Sequence, residues 1–167
     1  MSDDIVVLGC DPGRYGALVA LYPDGNIEYE STPLVLPLSK NSVVDSIRVG
    51  EFVDQISHMD IAFIYESVHS MPGQGVSSTF KFGLTTGMVI GAVVARATAN
   101  VAFHSQHKVT PQKWKKHFGL IGKDKNAAIE LMHKYLSNVD FTGINKQHLS
   151  GIADAYLISR YARETLF

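Results

Sequence analysis

The feature that most constrains this chain is IVVLGC at residues 5 to 10, a run without a charged or hydrogen-bonding side chain that stops at Asp11. Side chains alternate across a strand, so Ile5, Val7 and Gly9 face one way and Val6, Leu8 and Cys10 the other. A strand apolar on both faces belongs in the middle of a sheet covered on both sides. The chain must then supply enough helix to cover two faces of one sheet.

The remaining pattern does so. Pro12 and Gly13 turn the chain into a second strand, GALVALY; Pro23-Asp24-Gly25-Asn26 makes a hairpin turn, and IEYEST a third strand, so three antiparallel strands open the fold. After a segment holding Pro33 and Pro37, Ile47, Phe52, Val53 and Ile56 recur at helical spacing within residues 45 to 58, and IAFIYE follows as a fourth strand. Ser77 or Ser78 is placed to cap a long helix to about Asn100. Gly83, Gly87 and Gly91 repeat along that helix and admit another backbone closely, with core packing preferred over a dimer seam. VAFHS reads as a further strand. Thr110 caps a helix with Pro111 first and Gly119 at its end, with Trp114 and Phe118 on one face and Lys113 and Lys116 on another. Asp124 caps a helix bearing Ala128, Leu131, Met132 and Tyr135, and a last helix runs from about Ser150 to Glu164. The order β-β-β-α-β-α-β-α-α-α predicts an α/β fold, a mixed sheet flanked by helices.

The 167 residues fit one domain, residues 1–167, and a content of 46% hydrophobic and 19% charged residues excludes a low-complexity chain. A single cysteine, Cys10, excludes an internal disulfide, and the start MSDD lacks the basic region of a signal peptide, so a cytoplasmic location is expected. The apolar run from Met88 to Ala95, closed by Arg96, is far short of the roughly 20 residues that span a bilayer and reads as a buried helix, with no membrane partner. Charge is unevenly spread. Residues 1–70 hold three basic side chains against eleven acidic, a net of −8, and the other 97 hold twelve against five, a net of +7. Seven lysines fall between Lys108 and Lys134, the footprint of a polyanion or a solvated helical surface.

Three acids stand where acids are costly. Asp11 ends IVVLGC, Glu66 ends IAFIY, and Asp154 lies inside the mostly apolar GIADAYLI. Each has an ordinary reading, as a turn former, a strand-end acid and a helix acid paired with a base. If the first and fourth strands lie parallel and adjacent, however, Asp11 and Glu66 meet at their ends, and two anions in one site repel unless a cation joins them. Oxygen ligands without a Cys/His cluster favour Mg²⁺ or Mn²⁺ over zinc.

LGCDPGRYGALVAL, YESVHSMPGQGVSSTFKFGLTTGMVIGAVVA, VTPQKWKKHFGLIGKDK and GIADAYLISRYAR, in that order, resemble the RuvC-like Holliday junction resolvases, especially the branch found in bacteriophages and prophages. The resemblance covers residues 5 to about 163. It implies an RNase H-like fold with a five-stranded mixed sheet whose first three strands are antiparallel. It also implies a nuclease with two divalent ions, Mg²⁺ or Mn²⁺, held by Asp11, Glu66 and Asp154, which hydrolyses phosphodiesters to 5′-phosphate and 3′-hydroxyl ends. Its expected substrate is branched DNA, four-way junctions above all, and paired cuts imply a homodimer. The family usually places a fourth ligand three or four residues before the last acid; here those positions are Gly151 and Ser150, and His148, ahead of the helix, is the nearest candidate.

DNA contacts are expected from Arg14 beside Asp11, Gln74 in the glycine-rich loop after Glu66, Lys81 on the long helix, and Lys113, Lys115, Lys116, Lys123 and Lys125 in the WKK and GKDK segments. Gly73 and Gly75 let that loop approach a phosphate, and backbone amides near Ser77 and Ser78 offer another anion contact. Alternatives are a fork or flap nuclease, a junction-binding protein without turnover, and an ATPase of the sugar-kinase and actin type, which also opens on a strand followed by an Asp-Gly turn. The chain is too short for the two lobes of the last.

Overall fold

The strand Ile5–Asp11 (β1) occupies the middle of a five-stranded sheet. On one side it pairs antiparallel with Ala17–Leu21 (β2), which pairs antiparallel with Ile27–Ser31 (β3). On the other it pairs parallel with Asp60–Glu66 (β4), which pairs parallel with Phe103–Val109 (β5). The computed structural model describes residues 4–31, 44–67, 73 and 75–167. The Pro33–Pro37 segment lies outside them.

Both faces of β1 are buried, as its composition requires. Ser46–Ile56 (α1) and Val76–Ala99 (α2) close one face over Val6, Leu8, Cys10, Ile61 and Phe63. Pro111–His117 (α3), Asn126–Tyr135 (α4) and Lys146–Thr165 (α5) close the other over Val7, Val19 and Ile64. Gly9 sets how near α5 can come. A β-carbon there would collide with the Ala155 carbonyl and the Ser159 backbone, so the helix rests directly on β1. Arg163, near the far end of α5, donates to the Ile5 and Leu21 carbonyls at 2.6 and 3.1 Å and fixes the helix along the strand.

Several element boundaries differ from the sequence expectation. The N-cap of α2 is Gly75, in extended conformation and without a capping side chain, so Ser77 and Ser78 fall inside the first turn. Ile47 is 76% exposed because Asp45 caps α1 through the Ile47 and Arg48 amides, and that phase turns Val49 inward instead. β5 starts only at Phe103, since Val101 takes a left-handed φ of 58° that no strand residue adopts. α5 starts one turn early, at Lys146, because the Asn145 side chain accepts from the Gln147 and His148 amides. Asp124 does satisfy the first amides of α4, those of Asn126 and Ala127.

The largest correction concerns α2. It is not a buried helix: Val89, Val93 and Ala97 form the only fully buried stripe, and Arg96 clamps Asp54 of α1 through two hydrogen bonds of 2.7 and 2.6 Å. By length and composition α2 would suffice to cross a membrane, but that stripe holds it against α1 and the sheet. Among the described residues Gly83, Gly87 and Gly91 do not pack in the core either, since a β-carbon at any of them meets none of their atoms within 4 Å.

Candidate metal centre and nucleic-acid cleft

β1 and β4 run parallel with Cys10 opposite Tyr65, so the next residues, Asp11 and Glu66, end their strands at the same level. Their side chains share the sheet face of Val7 and Ile64, the one that α5 covers. Because Gly9 lets α5 lie against β1, Asp154, one residue before Ala155, comes down beside Asp11. Three acids distant in sequence thus meet at one end of the sheet.

Their electrostatics follow from that meeting. Burial pushes the Asp11 carboxyl well above the usual carboxylate range, and the charges of Asp154 and Glu66 push it further. Burial likewise raises Asp154 to about 6, with Glu66 adding to it, and raises Glu66. One cation opposes the shift at all three, Lys115 on α3; Lys125 helps at Asp154. Of the six lysines expected to meet DNA, Lys115 is therefore the one whose charge reaches all three acids.

The donor chemistry fits a hard divalent ion: three carboxylates, poorly hydrated, sharing little compensating charge. Among the described residues no three His, Cys, Asp or Glu side chains form a finished cage. Like charges repel, so a cation between the three carboxylates would relieve the raised pKa values.

A cleft of about 670 Å³ opens from the acids. Asp11 and Asp154 line it, and Lys115, Lys123, Lys125 and Lys146 line it with them. Gly119 and Gly122, with φ of 67° and 73°, shape the loop that carries Lys123 toward this wall and leaves Ile121 exposed on it. Phe82 of α2 forms another part of the wall, near Gly13.

The other expected residues are spread more widely. Lys113 and Lys116 are exposed on α3 but do not line the cleft, and Lys81 is exposed beside Phe82. The Arg14 guanidinium lies 5.7 Å from the Tyr15 ring centroid, in the exposed turn after Asp11. Gln74 lies outside the described residues; Gly73, its neighbour, has a φ of 83° that favours glycine. His148 is not ahead of the last helix but within its first turn, packed edge-on against Tyr15 with centroids 5.5 Å apart, its Nδ1 buried and unpaired. The structure does not bring it into the cleft wall.

Two positions beside the candidate site were given no role there by the sequence reading. Ser150 lines the cleft with Asp154, one helical turn away, whereas Gly151 has no room for a side chain because a β-carbon would strike the Tyr15 carbonyl and Gly16. Trp114, read from the sequence only as sharing a helix face with Phe118, donates from Nε1 to Glu66 Oε1 at 2.8 Å. An early N-cap at Asn145 would have signalled the first; nothing in one sequence signals the second.

No family model matches the chain, and no curated protein does. Among solved structures it is similar to Thermus thermophilus RuvC, at 18% identity over 95% of this chain and 96% of that one, with a TM-score of 0.54. It is also similar to T. thermophilus RuvC in complex with Holliday junction substrate, at 18% identity over 96% of each chain, with a TM-score of 0.56. The likeness spans nearly all of both chains and fixes the architecture: the fold of this chain is the RNase H-like fold of RuvC.

Proposed function

We propose that this protein is a divalent-metal-dependent endonuclease that resolves four-way DNA junctions by paired phosphodiester hydrolysis, leaving 5′-phosphate and 3′-hydroxyl ends. The observation that carries it is that Asp11 and Asp154 line a cleft walled by Lys115, Lys123, Lys125 and Lys146, with Glu66 close enough behind them for its charge to raise the pKa of both. A site for cations and a site for a polyanion share one opening. The fold shared with a RuvC solved on a Holliday junction substrate supports the choice of DNA.

Asp11, Glu66 and Asp154 would hold the ions, two Mg²⁺ or Mn²⁺. Bound there, they supply Lewis-acid stabilisation of the phosphoryl charge and a water of lowered pKa. The chain does the rest. Lys123, Lys125 and Lys146 draw in and orient the backbone phosphates. Lys115 stands beside the acids, where negative charge grows at the scissile phosphate, and stabilises it. The first amides of α2, whose N-cap Gly75 offers no capping side chain, suit a second phosphate.

Paired cuts require two sites, and α2 offers the means. Val76 and Phe80 are 88% and 70% exposed, Leu84 is exposed with them, and Gly83, Gly87 and Gly91 leave open space along the same helix. A second copy would cover this apolar face, since such a surface is rare on a monomer.

The test is cleavage of a labelled synthetic four-way junction in Mg²⁺ and in Mn²⁺, with linear duplex and flap controls, for the wild type and Glu66→Gln. Paired incisions that need metal and vanish in the variant support the reading; equal cutting of flaps would shift it to a general branched-DNA nuclease. A second reading, a junction-binding protein without turnover, is favoured by one observation. Gly151 stands where the family places an acid, and the Tyr15 backbone fills the space. Tight junction binding without cuts in either metal would establish it.

A further inference from the structure

Trp114 is the only tryptophan in the chain, and it is fully buried. Its place follows from the strand before it. β5 ends at Val109, which pairs with Glu66, and Thr110 and Pro111 start α3 at once, so the first turn of α3 stands over the end of β4. Trp114 Nε1 then donates to Glu66 Oε1 at 2.8 Å, while the next residue, Lys115, stands among the carboxylates. The far end of α3 is tied to α5 by His117, which is 2.7 Å from Glu164. Both ends of this short helix are therefore anchored to elements that carry the acids.

A buried indole N–H needs an acceptor, and a carboxylate is a strong one. The bond uses one oxygen of Glu66 and fixes the plane of the carboxyl group.

We propose that Trp114 is a positioning residue for metal binding: its indole N–H occupies Oε1 of Glu66, so that Glu66 offers Oε2 alone, in a fixed orientation, to a divalent ion. This rests on the metal-centre reading above. Partners that orient a ligand in this way carry about 10–100-fold in metal affinity. The ion's demand for geometry decides which metal suffers most. Mg²⁺ tolerates little distortion from octahedral coordination, so it should lose more than Mn²⁺ when the carboxyl is free to rotate.

The experiment compares wild type, Trp114→Phe and Glu66→Gln by calorimetric titration with Mg²⁺ and with Mn²⁺, without DNA, beside thermal melts of each. Phenylalanine keeps an aromatic ring and removes the N–H. The expected result is a cooperative melt for Trp114→Phe with Mg²⁺ affinity reduced at least about tenfold and Mn²⁺ affinity reduced less. A folded variant with wild-type Mg²⁺ affinity would overturn the proposal, even if its melting temperature falls, because that is what mere core filling predicts. Should phenylalanine fail to fold, biosynthetic replacement of tryptophan by benzothienylalanine, which has sulfur in place of N–H at nearly equal volume, answers by the same criterion. Glu66→Gln separates the two levels. If it binds metal like the wild type, the metal-centre reading falls and takes the proposal with it; if it loses metal while Trp114→Phe does not, only the role of Trp114 falls. A second signal comes from the wild type itself, since one tryptophan gives one indole N–H resonance. That resonance should move on addition of Mg²⁺ and stay fixed in Glu66→Gln.

Discussion

Ser150 stands one helical turn before Asp154 on the same face of α5, and both line the cleft that opens from the acids. Its neighbour Gly151 also lines the cleft, but a β-carbon there would strike the backbone of Tyr15 and Gly16. The two positions at which the family resemblance places a fourth ligand are thus not equivalent in this chain. Only Ser150 has somewhere to put a carboxylate.

Ser150→Asp should therefore strengthen Mg²⁺ binding, about tenfold or more, by adding charge and an oxygen ligand at the cleft. Gly151→Asp should instead destabilise the protein, because its side chain must displace the turn after β1. Titration calorimetry and thermal melts of both variants check this. Equal effects from the two would show that the helix phase assigned here is wrong.

The acids should make the metal-free protein more stable as pH falls. Asp154 is raised from 3.8 to about 6, chiefly by burial, and Asp11 is raised as well. A carboxyl with a folded pKa above its unfolded value binds its proton more tightly when folded, so its ionisation costs stability. That cost is absent below about pH 4, grows through the window up to about 6, and is complete above it. Asp154→Asn should raise the melting temperature at pH 7.5 by roughly 2–4 °C, the shift that about 1 kcal/mol gives in a chain of this size, and by nothing near pH 4. Mg²⁺ should reverse the ranking at pH 7.5. Scanning calorimetry across pH decides it, and a variant less stable than wild type at every pH would contradict the sign.

Lys115 should matter for turnover far more than its neighbours. It opposes the raised pKa of all three acids, whereas Lys113 and Lys116 do not line the cleft. Lys115→Met is expected to cut the cleavage rate on a four-way junction about 100-fold or more, the usual cost of removing one group aimed at developing charge. Lys113→Met and Lys116→Met should leave single-turnover rates within a few-fold. Lys123→Ala and Lys125→Ala should act on affinity instead, each lowering the slope of log K against log salt by about one.

The exposed face of α2 should hold two copies together. Phe80→Glu with Leu84→Glu places two charges on that face without touching the stripe of Val89, Val93 and Ala97. Sedimentation should show a dimer for the wild type and a monomer for the double variant, with junction cuts no longer paired. A wild type that sediments as a monomer at micromolar concentration would remove α2 as the seam.

The sequence by itself determined the element order, because that information is local: a two-sided apolar strand, a Pro-Asp-Gly-Asn turn and helical spacing are each legible within a few residues. It also marked Asp11, Glu66 and Asp154, since an acid is conspicuous where apolar neighbours make it costly. Tertiary structure decided what depends on contact between distant segments. The absent side chain of Gly9 sets how closely α5 rests on β1, and so where Asp154 stands. The cap at Asn145 puts His148 inside the helix and Ser150 on the cleft, a phase that a polar stretch does not announce. Trp114 looks the same as a core residue and as a partner of Glu66 until β5 and α3 place it over that carboxylate. The glycines of α2 suit close packing in sequence, but whether a backbone lies against them is a fact about the rest of the molecule, and among the described residues none does. Propensity and hydrophobic pattern are properties of neighbours along the chain, whereas the geometry of a site is a property of neighbours across it.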